Sequence, residues 1–249
     1  MPKVVVCINS LVSTTQPAYS NHIQYFYRLG KDFPDLEVCL VNPSRMSIDR
    51  CRNLAAEITL EKEFDYLLFL DDDVLIPHKD SLQKLIAADG DIVCGDVLIR
   101  GYPFDHMVFR YDSPESRNLK PMSEYPEDEI KENPVIPVDA VGFSYCLIKA
   151  SLLQRMPKPF FVTGPMNTED IYFCLKAKKF LPETTIKVDT SVTCAHILWA
   201  EAIDKRNKPF YKKYYEDAFP DSIPQKEDAE DRGDKYLEMV KGPDMVTMG

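Results

Sequence analysis

The chain has no Cys-x-x-Cys pair, no apolar run of the length a membrane span needs, no apolar leader ahead of a cleavage site and no Asn-x-Ser/Thr acceptor. The first absence argues against zinc-ribbon and thioredoxin-type chemistry. The second argues against a transmembrane segment, and the last two remove the usual signs of secretion. Glycine is scarce, at 9 of 249 residues, and 28% of the residues are charged, which argues against a fibrous or disordered chain. Positive charge is in deficit: 30 Lys and Arg face 40 Asp and Glu, for a net charge of −10. Such a chain is not built to grip a polyphosphate backbone over a wide surface, whereas a nucleotide needs only one metal ion and a few cations. The seven cysteines are an odd, dispersed set, most of them inside apolar runs. They read as reduced core thiols, and the expected location is cytoplasmic.

What is present is a large apolar fraction, 45%, arranged in short blocks. Val4–Ile8, Leu36–Val41, Tyr66–Leu70 and Asp91–Val97 read as buried strands. Between them, Tyr19–Gly30 and Ser47–Lys62 read as helices, the second with an apolar stripe of Ile48, Cys51, Ala55 and Ile58. Asp80–Ala88 reads as a short helix, with Asp80 and Gln83 spaced as a capping box. This alternation predicts an α/β fold with a Rossmann-like, mostly parallel central sheet and flanking helices. Residues 101–137 are rich in Pro, Glu, Asp and Ser and read as a long surface excursion. Val138–Ile148 returns to strand character. Thr168–Phe180 reads as a helix with Ile171, Cys174 and Leu175 inward, followed by strands at Ile186–Val188 and Val192–Ile197. The expected division is a catalytic domain over 1–205 and a C-terminal helical extension with a loose tail over 206–249.

The segment Tyr66-Leu-Leu-Phe-Leu-Asp-Asp-Asp-Val74 places three carboxylates at the exit of a buried strand. In open α/β sheets ligands bind beyond the carboxyl ends of the strands. Three adjacent negative charges there repel one another unless a cation is present. In an extended backbone Asp71 and Asp73 point one way and Asp72 the other. Paired hard oxygen ligands suit Mg²⁺ or Mn²⁺ that also holds a diphosphate. On the second helix, Asp49, Arg52 and Asn53 share a polar face opposite the apolar stripe.

The ordered set Ile48-Asp-Arg-Cys-Arg-Asn-Leu-Ala, Leu70-Asp-Asp-Asp-Val, Val141-Gly-Phe-Ser-Tyr-Cys-Leu-Ile, Thr168-Glu-Asp-Ile-Tyr-Phe-Cys-Leu and Cys194-Ala-His-Ile resembles GT-A fold glycosyltransferases, especially those similar to family 2. The resemblance covers roughly residues 1–200. It implies transfer of a sugar from a nucleotide-diphosphate sugar, UDP by default, to a hydroxyl acceptor with Mn²⁺ or Mg²⁺. It implies that Asp73 binds the metal directly, that Asp71 meets the ribose or reaches the metal through water, and that His196 is the distal metal ligand. Arg52 and Asn53 would face the donor, joined by Asp72, Gly142 and, after the first two strands, Ser10 and Asn42. Asp170 would be the base for direct displacement at the anomeric carbon, and Glu169 would position the acceptor. The helix dipole favours ionised carboxylates at the start of that helix. The excursion and the C-terminal extension would shape the acceptor site.

Other readings compete. Leu70-Asp-Asp-Asp-Val-Leu also fits the first motif of haloacid-dehalogenase-like phosphatases, with Asp71 as nucleophile and Asp73 beside it. There the motif usually lies on the first strand, and Cys94-Gly-Asp96 follows too soon to be the second acidic pair. A non-catalytic nucleotide-sugar binding module is a further alternative. Lys205–Tyr215 mixes cations with aromatics, so a nucleic-acid acceptor or an anionic membrane stays open for that segment, against the overall negative charge.

Overall fold

A computed structural model describes residues 2–10, 14–113, 118–164, 168–198 and 201–218. In chain order the elements are β1 (Lys3–Asn9), α1 (Gln16–Asp32), β2 (Glu37–Val41), α2 (Ile48–Glu61), β3 (Tyr66–Asp71), β4 (Val74–Leu75), α3 (Ser81–Ala87) and β5 (Ile92–Asp96). There follow β6 (Val108–Tyr111), β7 (Leu119–Pro121), α4 (Glu127–Glu132), β8 (Val135–Pro137), β9 (Ala140–Val141), β10 (Tyr145–Lys149) and α5 (Ala150–Arg155). The chain continues through α6 (Glu169–Phe180), β11 (Ile186–Thr193), β12 (Ala195–Leu198), β13 (Glu201–Ile203) and α7 (Lys208–Ala218).

The main sheet has seven strands in the order β2-β1-β3-β10-β5-β11-β8. β1 pairs in parallel with β2 and β3, and β5 with β11; β10 and β8 run the other way. The expected mostly parallel α/β sheet is therefore present, with one reversed strand in its interior. Alternation of side chains sends Val5, Cys7, Leu67, Phe69, Cys146 and Ile148 to one face and Val4, Val6, Leu68, Leu70, Tyr145 and Leu147 to the other. The first face is covered by residues of α2, α5 and α6, the second by Tyr25 and Leu29 of α1 and Leu82 and Leu85 of α3. Each fully buried large apolar side chain contributes ~1.5–3 kcal/mol, so a strand buried on both faces is read correctly as a near-continuous apolar run.

Several local expectations are corrected. α1 runs through Gly30 to Asp32, and Asp80 makes no side-chain cap at the start of α3, so the capping box is not formed. Val138–Ile148 is not one strand. β9 leaves to pair with β6, while β10 returns to the main sheet. Within the excursion, β6 and β7 pair and are joined from beyond it by β9 in a small sheet, with α4 beside them through the Arg110–Glu129 ion pair. Of the C-terminal extension, α7 lies within the described residues and docks Tyr211 and Tyr215 edge-on against Phe104. The expected tail, 219–249, lies outside them.

Candidate active site

The carboxyl ends of β1 and β3, the start of β10 and the N-terminal turn of α2 meet at one end of the sheet. They form a cleft of about 430 Å³, lined by Asn9, Ser10, Met46, Ser47, Ile48, Cys51, Asp71, Asp72, Asp73, Arg100, Met107, Ser144 and His196. That volume is typical of a small-molecule site.

β3 ends at Asp71, and the chain turns through Asp72 and Asp73 before β4. Because the backbone turns there, the alternation expected for an extended strand does not apply, and all three aspartates line the cleft. Asp71 is held from three sides. Ser144 Oγ donates to its Oδ2 at 2.7 Å, Asn9 Nδ2 approaches its Oδ1 at 3.4 Å, and Arg52 Nη2 lies 3.5 Å from the same oxygen. A carboxylate so occupied is a poor nucleophile, which weighs against the phosphatase reading. Asp72 meets Ser10, and burial pushes its carboxyl above the usual range despite that hydrogen bond. β4 is itself clamped by α1: Asn21 bonds both the N–H and the carbonyl of Ile76, and His22 Nε2 lies 2.8 Å from the Val74 carbonyl.

His196 reaches the cleft through strand register. β12 pairs antiparallel with β4, His196 opposite Val74, and the Ile197 N–H donates to the Asp73 carbonyl. The ring lies with Nε2 3.3 Å from Asp73 Oδ1 and Nδ1 2.8 Å from the Leu98 carbonyl. A carbonyl can only accept, so Nδ1 carries a hydrogen; Nε2 faces Asp73 either as the donating N–H of an imidazolium or, where a metal takes the place of that proton, as a lone pair. A lone pair and a carboxylate oxygen facing one another need a proton or a cation between them. The donor set thus suits a divalent ion: one imidazole, one carboxylate and room for phosphate oxygens. Among the described residues no three His, Cys, Asp or Glu side chains group as a metal site, so any such ion would take its remaining ligands from substrate or water. Arg100 Nη1 lies 2.7 Å from Asp73 Oδ2. Burial alone would raise the Asp73 carboxyl, but His196 and Arg100 outweigh it and hold the group below its ordinary value.

Four residues expected to face the donor, Arg52, Asn53, Asn42 and Gly142, do not line the cleft. Arg52 is 3% exposed, with its guanidinium 5.1 Å over the Phe69 ring and 5.3 Å over that of Phe143. Its Nη1 lies 2.8 Å from Glu169 Oε1, an ion pair rather than a well-aligned hydrogen bond, and its Nε has no hydrogen-bond partner among the described residues. Arg52 turns from the polar face of α2 to Asp71 and Glu169 because carboxylates away from solvent offer the stronger field. Asn53 accepts from the Phe160 and Phe161 N–H groups and donates to the Phe161 carbonyl, pinning that segment to α2. The buried face of α2 is accordingly Cys51, Arg52, Ala55, Ala56 and Thr59, and Ile48 is left at the cleft wall. Asn42 is exposed and outside the lining.

Glu169 and Asp170 open α6 after Thr168 and are both buried. Burial pushes the Glu169 carboxyl up, against the pull of Arg52. Asp170 Oδ1 takes the N–H of Ile171. Its Oδ2 lies 3.5 Å from where a Cβ on Gly142 would stand, and that Cβ would also meet Met107 Cε at 2.5 Å. Gly142 therefore permits the close approach of Met107, and Asp170 sits behind this wall rather than on the open lining.

A second buried cluster lies outside every sequence motif. Asp96, 1% exposed, lies with Oδ1 2.6 Å from His106 Nδ1 and accepts from Tyr125 at 2.9 Å, while Lys205 Nζ lies 2.7 Å from its Oδ2. Its residues are spread over 96–205 in sequence, so spacing carries no signal of it. It ties the segment before α7 to the segment 96–100, which carries both Arg100 and the carbonyl that orients His196. Burial would raise the Asp96 carboxyl, but His106 and then Lys205 hold it below the usual range. A depressed carboxylate contributes stability above its unfolded pKa, and that stability is lost as pH falls through the folded value. Lys205→Met should therefore move acid unfolding to higher pH and cost about 1 kcal/mol at neutral pH, the partly exposed lysine being screened. Tryptophan or far-UV circular dichroism titration with acid checks it.

No protein-family model matches the chain, and no curated protein matches it. Among solved structures, the crystal structure of A197 from STIV superposes with a TM-score of 0.57 at 22% identity, covering 82% of this chain and 91% of that one. This likeness shows a shared fold. More distant matches are a glycosyltransferase involved in the glycosylation of the major capsid of PBCV-1 (TM-score 0.39, 12% identity, 76% and 82% covered) and the inositol-1-phosphate CTP transferase from T. maritima (0.43, 11%, 87% and 97%). Among the described residues no helix is long and apolar enough to cross a membrane.

Proposed function

We propose that the cleft is the donor site of a metal-dependent glycosyltransferase of GT-A type, similar to family 2, which transfers a sugar from a nucleotide-diphosphate sugar to a hydroxyl acceptor. The observation that carries the reading is the convergence of Asp73 and His196, 123 positions apart in sequence, with Nε2 and Oδ1 facing across 3.3 Å at the carboxyl ends of the strands. UDP is the favoured nucleotide by the family resemblance.

Asp73 and His196 would hold Mn²⁺ or Mg²⁺, which when bound orients the diphosphate and offsets charge on the departing nucleotide. Met46, Ser47, Ile48, Asn9 and Ser10 form the wall available to the nucleoside. Asp71, fixed by Ser144 and Asn9, presents toward the ribose. In the transfer, the bond between the anomeric carbon and the diphosphate oxygen breaks with its electron pair going to that oxygen. The acceptor oxygen bonds to the anomeric carbon, and its proton passes to Asp170, the base implied by the family resemblance, which the acceptor would reach once Met107 moves aside from Gly142. Arg52 holds Glu169 and Asp71 in one buried unit, so the donor side and the α6 carboxylates keep a fixed separation.

Asp170→Asn is the test of transfer as against mere binding. The variant should retain Mn²⁺-dependent affinity for the nucleoside diphosphate and lose ~10²–10⁴-fold in nucleotide-sugar turnover. Turnover equal to that of the unaltered protein would remove Asp170 as the base.

A further inference from the structure

Arg100 stands apart from the other cation near the acidic turn. Arg52 is sealed under two aromatic rings, whereas the Arg100 side chain is 56% exposed on the cleft lining, and its ion pair is with Asp73. Its backbone is nonetheless fixed. The Leu98–His106 bridge, the Ile99 N–H to the Asp105 carbonyl and the Phe104 N–H to the Gly101 carbonyl anchor the loop on both sides. The guanidinium is therefore an exposed head on a held stem, placed beside a carboxylate that a divalent ion would claim.

We propose that Arg100 is the diphosphate-binding residue of the cleft, neutralising Asp73 in the empty protein and turning from it to the phosphate oxygens when donor and divalent ion bind. The inference rests on the reading of the cleft as a nucleotide-sugar site. The charges argue for the exchange. Without ligand, the Asp73 carboxylate is shared by Arg100 and His196. A divalent ion on Asp73 removes the partner of Arg100 and places like charge beside it, while the diphosphate supplies an anion of matching geometry. A planar fork of donors fits phosphate oxygens in pairs, and a half-exposed ion pair is weak enough to give up. When the sugar leaves, the diphosphate gains a negative charge next to a guanidinium already in contact with it, so the residue stabilises the leaving group.

Two titrations with opposite expected signs test this. UDP and GDP are titrated calorimetrically into the full chain with saturating Mn²⁺, and Mn²⁺ is titrated alone, for the unaltered protein, Arg100→Ala and Arg100→Lys. Arg100→Ala should weaken the diphosphate about ten- to a hundredfold, the value of a charge-assisted contact, while binding Mn²⁺ alone at least as tightly, since Asp73 has lost its competing cation. Arg100→Lys should fall between. Uridine and guanosine affinities should not change. Unchanged UDP and GDP affinity in Arg100→Ala, or Mn²⁺ binding weakened in that variant, overturns the assignment and leaves the donor-site reading intact. If the unaltered protein binds neither diphosphate with Mn²⁺, the donor-site reading fails and this inference with it. Circular dichroism of each variant reports whether the fold is kept, which the exposure of Arg100 leads us to expect.

Discussion

Arg52→Met is expected to destabilise the protein by about 3–5 kcal/mol in urea unfolding, the cost of removing one partner from a buried charge pair. That is a large part of the ~5–15 kcal/mol that holds a domain together. Methionine can fill the space beneath Phe69 and Phe143, so the loss is electrostatic in origin. Glu169, 6% exposed, would be left without its cation, and Asp71 would lose one of its three holders. Desolvation opposes the charge on Arg52, but Asp71, Glu169 and Asp170 together raise its pKa above the ordinary arginine value. The unpaired carboxylate can escape by taking a proton, since burial already pushes Glu169 up. The deficit should therefore shrink as pH is lowered. The double variant Arg52→Met, Glu169→Gln should recover part of the loss, because it removes the buried charge rather than stranding it. Equal losses in the single and double variants would show that packing, not the ion pair, carries the effect.

Asp73→Asn should do the reverse: little to stability and much to binding. Asp73 is 18% exposed, its ion pair with Arg100 is partly solvated, and its backbone carbonyl still accepts from Ile197. The contacts with His196 and Arg100 that favour the charge are partly solvated, so the melting temperature should fall by no more than a few degrees, corresponding to ~0–1 kcal/mol. The Mn²⁺-dependent part of nucleoside diphosphate binding should fall by at least about a hundredfold. Losing a group that merely orients a metal ligand already costs ~10–100-fold, and here the hard oxygen donor itself is lost. Full metal-dependent binding in this variant would place the ion elsewhere.

How far the sequence could be read depended on whether the signal was local. The apolar runs of β1, β3 and β5 announce strands buried on both faces, and the acids at the exit of β3 announce a charged site at the sheet's carboxyl end. Direction is not written in an apolar run, so nothing in Tyr145–Lys149 told that β10 enters reversed between β3 and β5. Arg52 reads as part of the polar face of α2 because a charged residue is rarely buried. The carboxylates that reverse that rule lie on β3 and α6, far along the chain. Ser144 and Asn9 could have been found: each is a polar residue at the end of an apolar strand beside the acidic turn, as Asp71 is. Arg100 and the Asp96–His106–Tyr125–Lys205 cluster carry no such mark, since loop cations are common and the cluster's members meet only in the folded chain. The alternation rule failed at Asp72 for a local reason, the turn that begins where β3 ends.

The most direct measurement is a calorimetric titration of UDP and GDP into the unaltered protein, first with Mn²⁺ and then with a chelator in its place. Binding of at least one diphosphate that depends on Mn²⁺ is the result expected if Asp73 and His196 hold an ion against the phosphates. Affinity unchanged by the chelator, or no binding of either nucleotide with Mn²⁺ present, would contradict it.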